Sequence, residues 1–283
     1  MFRALVLVVL LSGCGRYGYD PLEQSGGPEG TPGALPMFAV FEVEGSTTAR
    51  GPRVAALSDG AAVTWTDDRS GSHFSYLRVF DSEARPASDE IRVGQSQSYS
   101  SPGIAWTGTE IAVLWRELSD FSNKLWLSRF AENGSAVGTE QEITGSATGQ
   151  SSPALAWSGS ALGGAWPAFN AQPTEPRESS AWFAPITASG ERAGPGGLAS
   201  WNGDCTCRPD VAWGETGWGV VTANDGAPGQ MGYGVGLARF AADGAPIGEA
   251  PVLISPPGEF ASTPSIAASG SSYGIAWPGG RGE

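Results

Sequence analysis

The chain of 283 residues carries 16 Lys and Arg against 29 Asp and Glu, a formal net charge of −13. That balance opposes binding to nucleic acid or to anionic lipid surfaces, whose phosphates attract cations. With 42 Gly, 21 Pro and only 16% charged residues, many short strands and tight turns are predicted, not long helices.

In chain order, residues 1–13 are predicted to be a signal peptide. Arg3 supplies the positive end and Ala4 begins an apolar run ending at Leu11, far too short to span a bilayer as a helix. The run Leu11-Ser12-Gly13-Cys14 resembles the lipobox of bacterial lipoproteins. The resemblance implies cleavage before Cys14, diacylglycerol on its thiol and, with Gly15 following, export to the outer membrane or cell surface. An ordinary secretory signal with an incidental cysteine is the alternative. Acyl chains anchor through burial worth about 0.8 kcal/mol per methylene. Residues 14–36, dense in Gly and Pro, cannot bury enough surface to order themselves and read as a flexible tether.

Residues 37–283 are predicted to form one repeat domain. Prolines at 52, 102, 153, 209 and 264 mark five copies of one hairpin, spaced 50, 51, 56 and 55 residues apart. Two residues after each proline stand Val54, Ile104, Leu155, Val211 and Ile266; the third is always alanine (Ala55, Ala105, Ala156, Ala212, Ala267). The tenth is small again, and the thirteenth is Trp65, Trp115, Trp166, Thr222 or Trp277. Alternate side chains of a strand point to opposite faces, so each hairpin is bulky on one face and small on the other. Such hairpins suit sheets stacked on both sides, and neither face is made for water.

Third strands follow at Leu77-Arg78-Val79-Phe80, Leu127-Ser128-Arg129-Phe130 and Leu237-Ala238-Arg239-Phe240, with a weaker copy at Phe183-Ala184-Pro185-Ile186. Turns at Gly134, Gly190 and Gly244 come next, then fourth strands near Ile91, Ile143, Leu198 and Leu253. Four strands in about fifty residues match a propeller blade. The fifth copy stops after its first hairpin. Residues 37–43 read as an orphan outer strand, because Phe41 precedes Pro52 by the eleven residues that separate Ile91 from Pro102. The predicted fold is therefore an all-β propeller of about five four-stranded blades. Its closing blade is incomplete, and residues 37–43 are expected to join the C-terminal hairpin.

The chemistry-bearing residues are sparse. His73, the one histidine, reads as a loop residue exposed to solvent. Cys205 and Cys207, one residue apart, are a possible disulfide that would be strained and easily reduced; they are too few for a zinc site. Asp67, Asp68, Glu117, Asn170 and Asp225 fall in equivalent loops after successive second strands, and such loops gather on one face of a ring. They are the candidate ligand-binding loops, able to meet a sugar, a peptide or, as the one weak cofactor candidate, Ca²⁺. Most of the eleven tryptophans occupy packing positions; Trp201, beside the cysteine pair, is the predicted exposed aromatic.

With Phe-x-x-x-Gly turns at 130–134 and 240–244, the chain resembles bacterial surface lipoproteins built from degenerate β-propeller repeats. The resemblance specifies fold far more than function. It leaves two readings. One is a membrane-anchored, non-catalytic binding or scaffold protein whose partner is an envelope protein or glycan. The other is a polysaccharide-acting hydrolase or lyase using loop carboxylates. No catalytic residue is assigned from the sequence.

Overall fold

In the computed structural model, residues 4–6, 41–43, 48–118, 124–144, 152–169, 179–201, 208–224, 234–249, 251–256 and 259–281 are described. A short N-terminal pair, β1 (Ala4–Val6) and β2 (Phe41–Val43), precedes the repeats. Blade 1 is β3 (Arg50–Ala56), β4 (Ala61–Asp67), β5 (Phe74–Phe80) and β6 (Ile91–Val93). Blade 2 is β7 (Gly103–Trp106), β8 (Glu110–Arg116), β9 (Leu125–Ala131) and β10 (Gln141–Thr144). Blade 3 is β11 (Ala154–Trp157), β12 (Leu162–Phe169), β13 (Ser179–Ile186) and β14 (Gly197–Leu198). Blade 4 is β15 (Asp210–Gly214), β16 (Gly217–Asn224), β17 (Gly234–Phe240) and β18 (Val252–Leu253). Each is a separate four-stranded antiparallel meander.

The fifth unit comprises β19 (Glu259–Ala261), β20 (Ser265–Ser269), β21 (Ser272–Ala276) and β22 (Gly279–Arg281). It is split into two pairs, β20 with β21 and β19 with β22. The closing blade is thus incomplete, as predicted. Its expected strand is elsewhere: Phe41–Val43 pairs with Ala4–Val6, not with the fifth hairpin. Residues 4–6 lie inside the predicted signal peptide, so this pairing belongs to the uncleaved chain.

First strands of successive units pack against one another, β3 on β7, β7 on β11, β11 on β15 and β15 on β20. Separate sheets sharing an inner row of first strands are the arrangement of a β-propeller. The cohesion follows the repeat offsets. Ile104, Ile111, Val113 and Trp115 of blade 2 pack with Ala55 and Ala62 of blade 1. Leu155, Leu162 and Trp166 of blade 3 meet Ala105 and Ala112 of blade 2 in the same way. The small tenth residue makes room for a ring: Trp218 lies where a Cβ on Gly163 would stand, and Tyr273 stands over Gly219. Large-into-small packing at four interfaces holds the ring, since a single blade cannot bury both faces alone.

The predicted turn glycines take the left-handed backbone that the third turns require, with φ of 84° at Gly134, 100° at Gly190 and 87° at Gly244. At the other end of the blades, serines finish the ladder where strand pairing stops. Ser200 Oγ accepts the amide of Ala181, and Ser255 Oγ accepts that of Val235. Four antiparallel strands place the loops after second strands and the connectors between blades at the same end. Hydrogen bonds from Ser98 N to His73 O and from Leu118 N to Gln97 O tie the two sets together there.

Candidate functional site at the loop face

Asp67 ends β4 and Asp68 follows it, and Glu117 follows β8 at the place equivalent to Asp67, so the meander brings these predicted residues to one face. Their roles diverge. Asp67 is fully buried, accepting Trp65 Nε1 at 2.6 Å and the Arg69 guanidinium at 2.6 Å. Arg69 also reaches Glu90 and lies over the Tyr76 ring at 4.5 Å. Burial works against the Arg69 charge, but the hydrogen bonds and Coulomb attraction of Asp67 and Glu90 outweigh it and push its pKa up. Asp67 is therefore a fastener of its loop and not an open ligand group, which corrects its reading as a binding residue. Hydrogen-bonding demand of the buried Trp65 indole and the half-buried Arg69 guanidinium occupies its oxygens.

Asp68 accepts the amide of Thr48 at 3.2 Å, joining the loop to the strand entry. Glu117 is held by neutral donors: Trp126 Nε1 donates to Oε2 at 2.8 Å and Ser96 Oγ to Oε1 at 2.7 Å. Lys124 lies near enough to feel the Glu117 charge, although its raised pKa is due first to its hydrogen bond with Glu142. Asn170 and Asp225 lie outside the described residues, as do Cys14, Cys205 and Cys207. Among the described residues no three His, Cys, Asp or Glu side chains converge to hold a metal ion.

His73 is more than a solvent-facing loop residue. Its ring stacks on Tyr99 with centroids 4.6 Å apart at 30°. Arg50 approaches Nε2 at 3.0 Å, and because a guanidinium only donates, Nε2 is the accepting nitrogen. Thr48 Oγ1 is 3.0 Å from the same atom. Tyr99 itself is 42% exposed, one of the few large apolar surfaces facing solvent. Gln97 Nε2 reaches Ser72 Oγ beside it. The result is an aromatic pair with a guanidinium and a hydroxyl on the His73 ring and the Gln97 amide on Ser72 beside it. Sequence reasoning missed Tyr99 because the connectors between blades do not follow the repeat.

Trp201 lies apart, in a cleft of about 250 Å³ between the rims of blades 3 and 4, with Leu198, Ile247 and Arg239 also lining it. Its ring packs over Gly236, so Trp201 is half-buried and not freely exposed.

The described inner row has one further cluster. The residue after each marker proline is Arg53, Gly103, Ala154, Asp210 or Ser265. Arg53 of blade 1 approaches Asp210 of blade 4 at 3.6 Å. The other Asp210 oxygen accepts Ser265 Oγ at 2.8 Å and the Ile266 amide at 3.0 Å. One carboxylate thus links three units at the entry ends of their first strands.

No protein-family model and no curated protein matches the chain. Solved structures resemble it remotely. A subtype N10 neuraminidase-like protein of A/little yellow-shouldered bat/Guatemala/060/2010 is 9% identical with a TM-score of 0.46, over 83% of this chain and 60% of that one. A glycosyl hydrolase from Bacteroides ovatus is 10% identical, TM-score 0.42, over 81% and 83%. The β-propeller domain of the Trilobed protease from Pyrococcus furiosus is 10% identical, TM-score 0.42, over 75% and 59%. The propeller assignment rests on the sheets and their packing described above.

Proposed function

We propose that this chain is a carbohydrate-directed propeller of the bacterial envelope, anchored by lipid on Cys14, that engages a glycan on the loop face of blades 1 and 2. Tyr99 carries this reading: an exposed ring, stiffened by the His73 ring beneath it and edged by hydrogen-bonding groups. A sugar offers apolar C–H faces and a rim of hydroxyls, which an aromatic with a polar surround complements. Glycan binding unites the scaffold and polysaccharide-acting readings of the sequence.

Glu117 favours the hydrolytic version of that reading. Its carboxylate is positioned by Trp126 and Ser96 without an arginine consuming it, unlike that of Asp67. A two-carboxylate mechanism needs a second acid roughly 5–10 Å away, and Asp68, in the equivalent loop of blade 1, is the partner this version requires.

The test is calorimetric titration of the protein with envelope and extracellular polysaccharides, run beside an assay for released reducing ends. Binding that is lost in Tyr99→Ala, with an unchanged melting temperature, supports the reading. Sugar release abolished by Glu117→Gln selects hydrolysis. Binding of an envelope protein, with no response to any glycan, overturns it.

A further inference from the structure

In every complete blade the second strand is central: β4, β8, β12 and β16 are each paired on both sides. Their counterpart in the fifth unit, β21, pairs only with β20 among the described residues, so its outer edge is open. The flank of blade 4 is open with it. In each earlier blade the outermost pair of strands is covered by the third turn of the next. Gly134 is seated on Ile91, Gly190 on Gln141 and Leu127, and Pro246 against Gly197. The fifth unit has no such turn, and Val252, the counterpart of Ile91, Gln141 and Gly197, is 62% exposed. Leu237 beside it is only half-buried, whereas Leu77, Leu127 and Phe183 at its position are fully buried. Edge strands are ordinarily blunted by charge or by shortness. The outer strands of blades 1 and 2 carry Arg92 and Glu142, and those of blades 3 and 4 are two residues long. The β21 edge is five residues, Ser272-Tyr273-Gly274-Ile275-Ala276, with neither charge nor proline.

We propose that this edge is completed by a second copy of the chain: β21 pairs antiparallel with β21 of the copy across a two-fold axis. Two half-blades then make one shared sheet, β20-β21-β21-β20, with the four strands of every complete blade. An antiparallel edge is self-complementary under a two-fold, and its free N–H and C=O groups supply the bonds of an added strand. The missing charge selects a copy as the occupant. A chain of net charge −13 repels itself, and this edge brings no like charges together. Centring the axis on Gly274 sets Tyr273 opposite Ile275 of the copy, an aromatic and β-branched cross-strand pair, and Ser272 opposite Ala276. A two-fold perpendicular to the sheet keeps each face on its own side, so the open flank of blade 4, with Val252 and Leu237, faces its counterpart.

The test is sedimentation equilibrium of the full chain in density-matched detergent, where a concentration-dependent mass of two chains is expected. Ala276 is exposed, so Ala276→Lys leaves the fold intact by circular dichroism and weakens the dimer about tenfold or more. Cross-linking reads the register. A Cβ on Gly274 meets nothing nearer than the Ala267 carbonyl at 4.0 Å, so Gly274→Cys is accommodated. Under mild oxidation it should give a covalent dimer that the unaltered chain does not. Ser272→Cys and Ala276→Cys should cross-link when mixed, and far less when each is alone. A monomer at every concentration overturns the proposal. Slow amide exchange at 272–276 in that monomer would mean that the chain covers its own edge, and fast exchange would leave the edge to a different protein. A dimer indifferent to Ala276→Lys and not captured by Gly274→Cys also overturns it, because its contact then lies on another face.

Discussion

The residue two places after the marker proline is a large aliphatic in all five copies, yet its surroundings differ. Ile104, Leu155, Val211 and Ile266 are 5–8% exposed, each pressed on the preceding unit, whereas Val54 is 49% exposed. Blade 1 has no comparable stacking of β20 on β3 from that side among the described residues. The same side chain at the same offset is core in one copy and surface in another, because burial is a property of the neighbour and not of the repeat. Hydrophobic stabilisation scales with the area removed from water, so equal sequences contribute unequally.

Substitutions can break or sharpen this contrast. The largest effect is expected at an inner interface: Trp218→Ala empties the space over Gly163 and loses about 3–5 kcal/mol in urea denaturation. Next is Asp67→Asn, which leaves Arg69 and Glu90 without their buried partner; a loss of about 2–3 kcal/mol by the same measurement is expected. Ile266→Ala, at the interface of blade 4 with the two-stranded hairpin, should cost about 2 kcal/mol, because that thin edge collapses onto the gap more readily than an inner blade does. Val54→Ala should stay within about 0.5 kcal/mol, the range of ordinary surface changes. Equal losses at Val54 and Ile266, by denaturation and by amide exchange of β3, would mean that blade 1 is covered as fully as the others and would dissolve the contrast.

A second pair makes the same point about chemistry. Asp67 and Glu117 are near-equivalent carboxylates at the ends of second strands. Asp67 is closed off because Arg69 follows it by two residues and turns back on it, while Glu117 is held by the neutral donors Trp126 and Ser96, with Lys124 close enough to feel its charge. Their types and offsets were legible in the sequence; which of them stays open was not, since it depends on a side chain folding back across a loop. Tyr99, Arg53 and Asp210 were illegible for a related reason. Their partners are 26 residues away for Tyr99 with His73 and on different units for Arg53 with Asp210, and no local pattern encodes such meetings.

The period, the four-strand unit, the incomplete fifth copy and the alternation of large and small faces were all determined by sequence alone. Each is a short-range consequence of side-chain direction in strands and of glycine in turns. Only the tertiary structure decided which strand Phe41–Val43 joins, which hydrophobic residues are covered, and which charges meet at the inner mouth. Those outcomes are competitions between distant segments for the same edge, face or acceptor, and their winners are set by geometry across the ring.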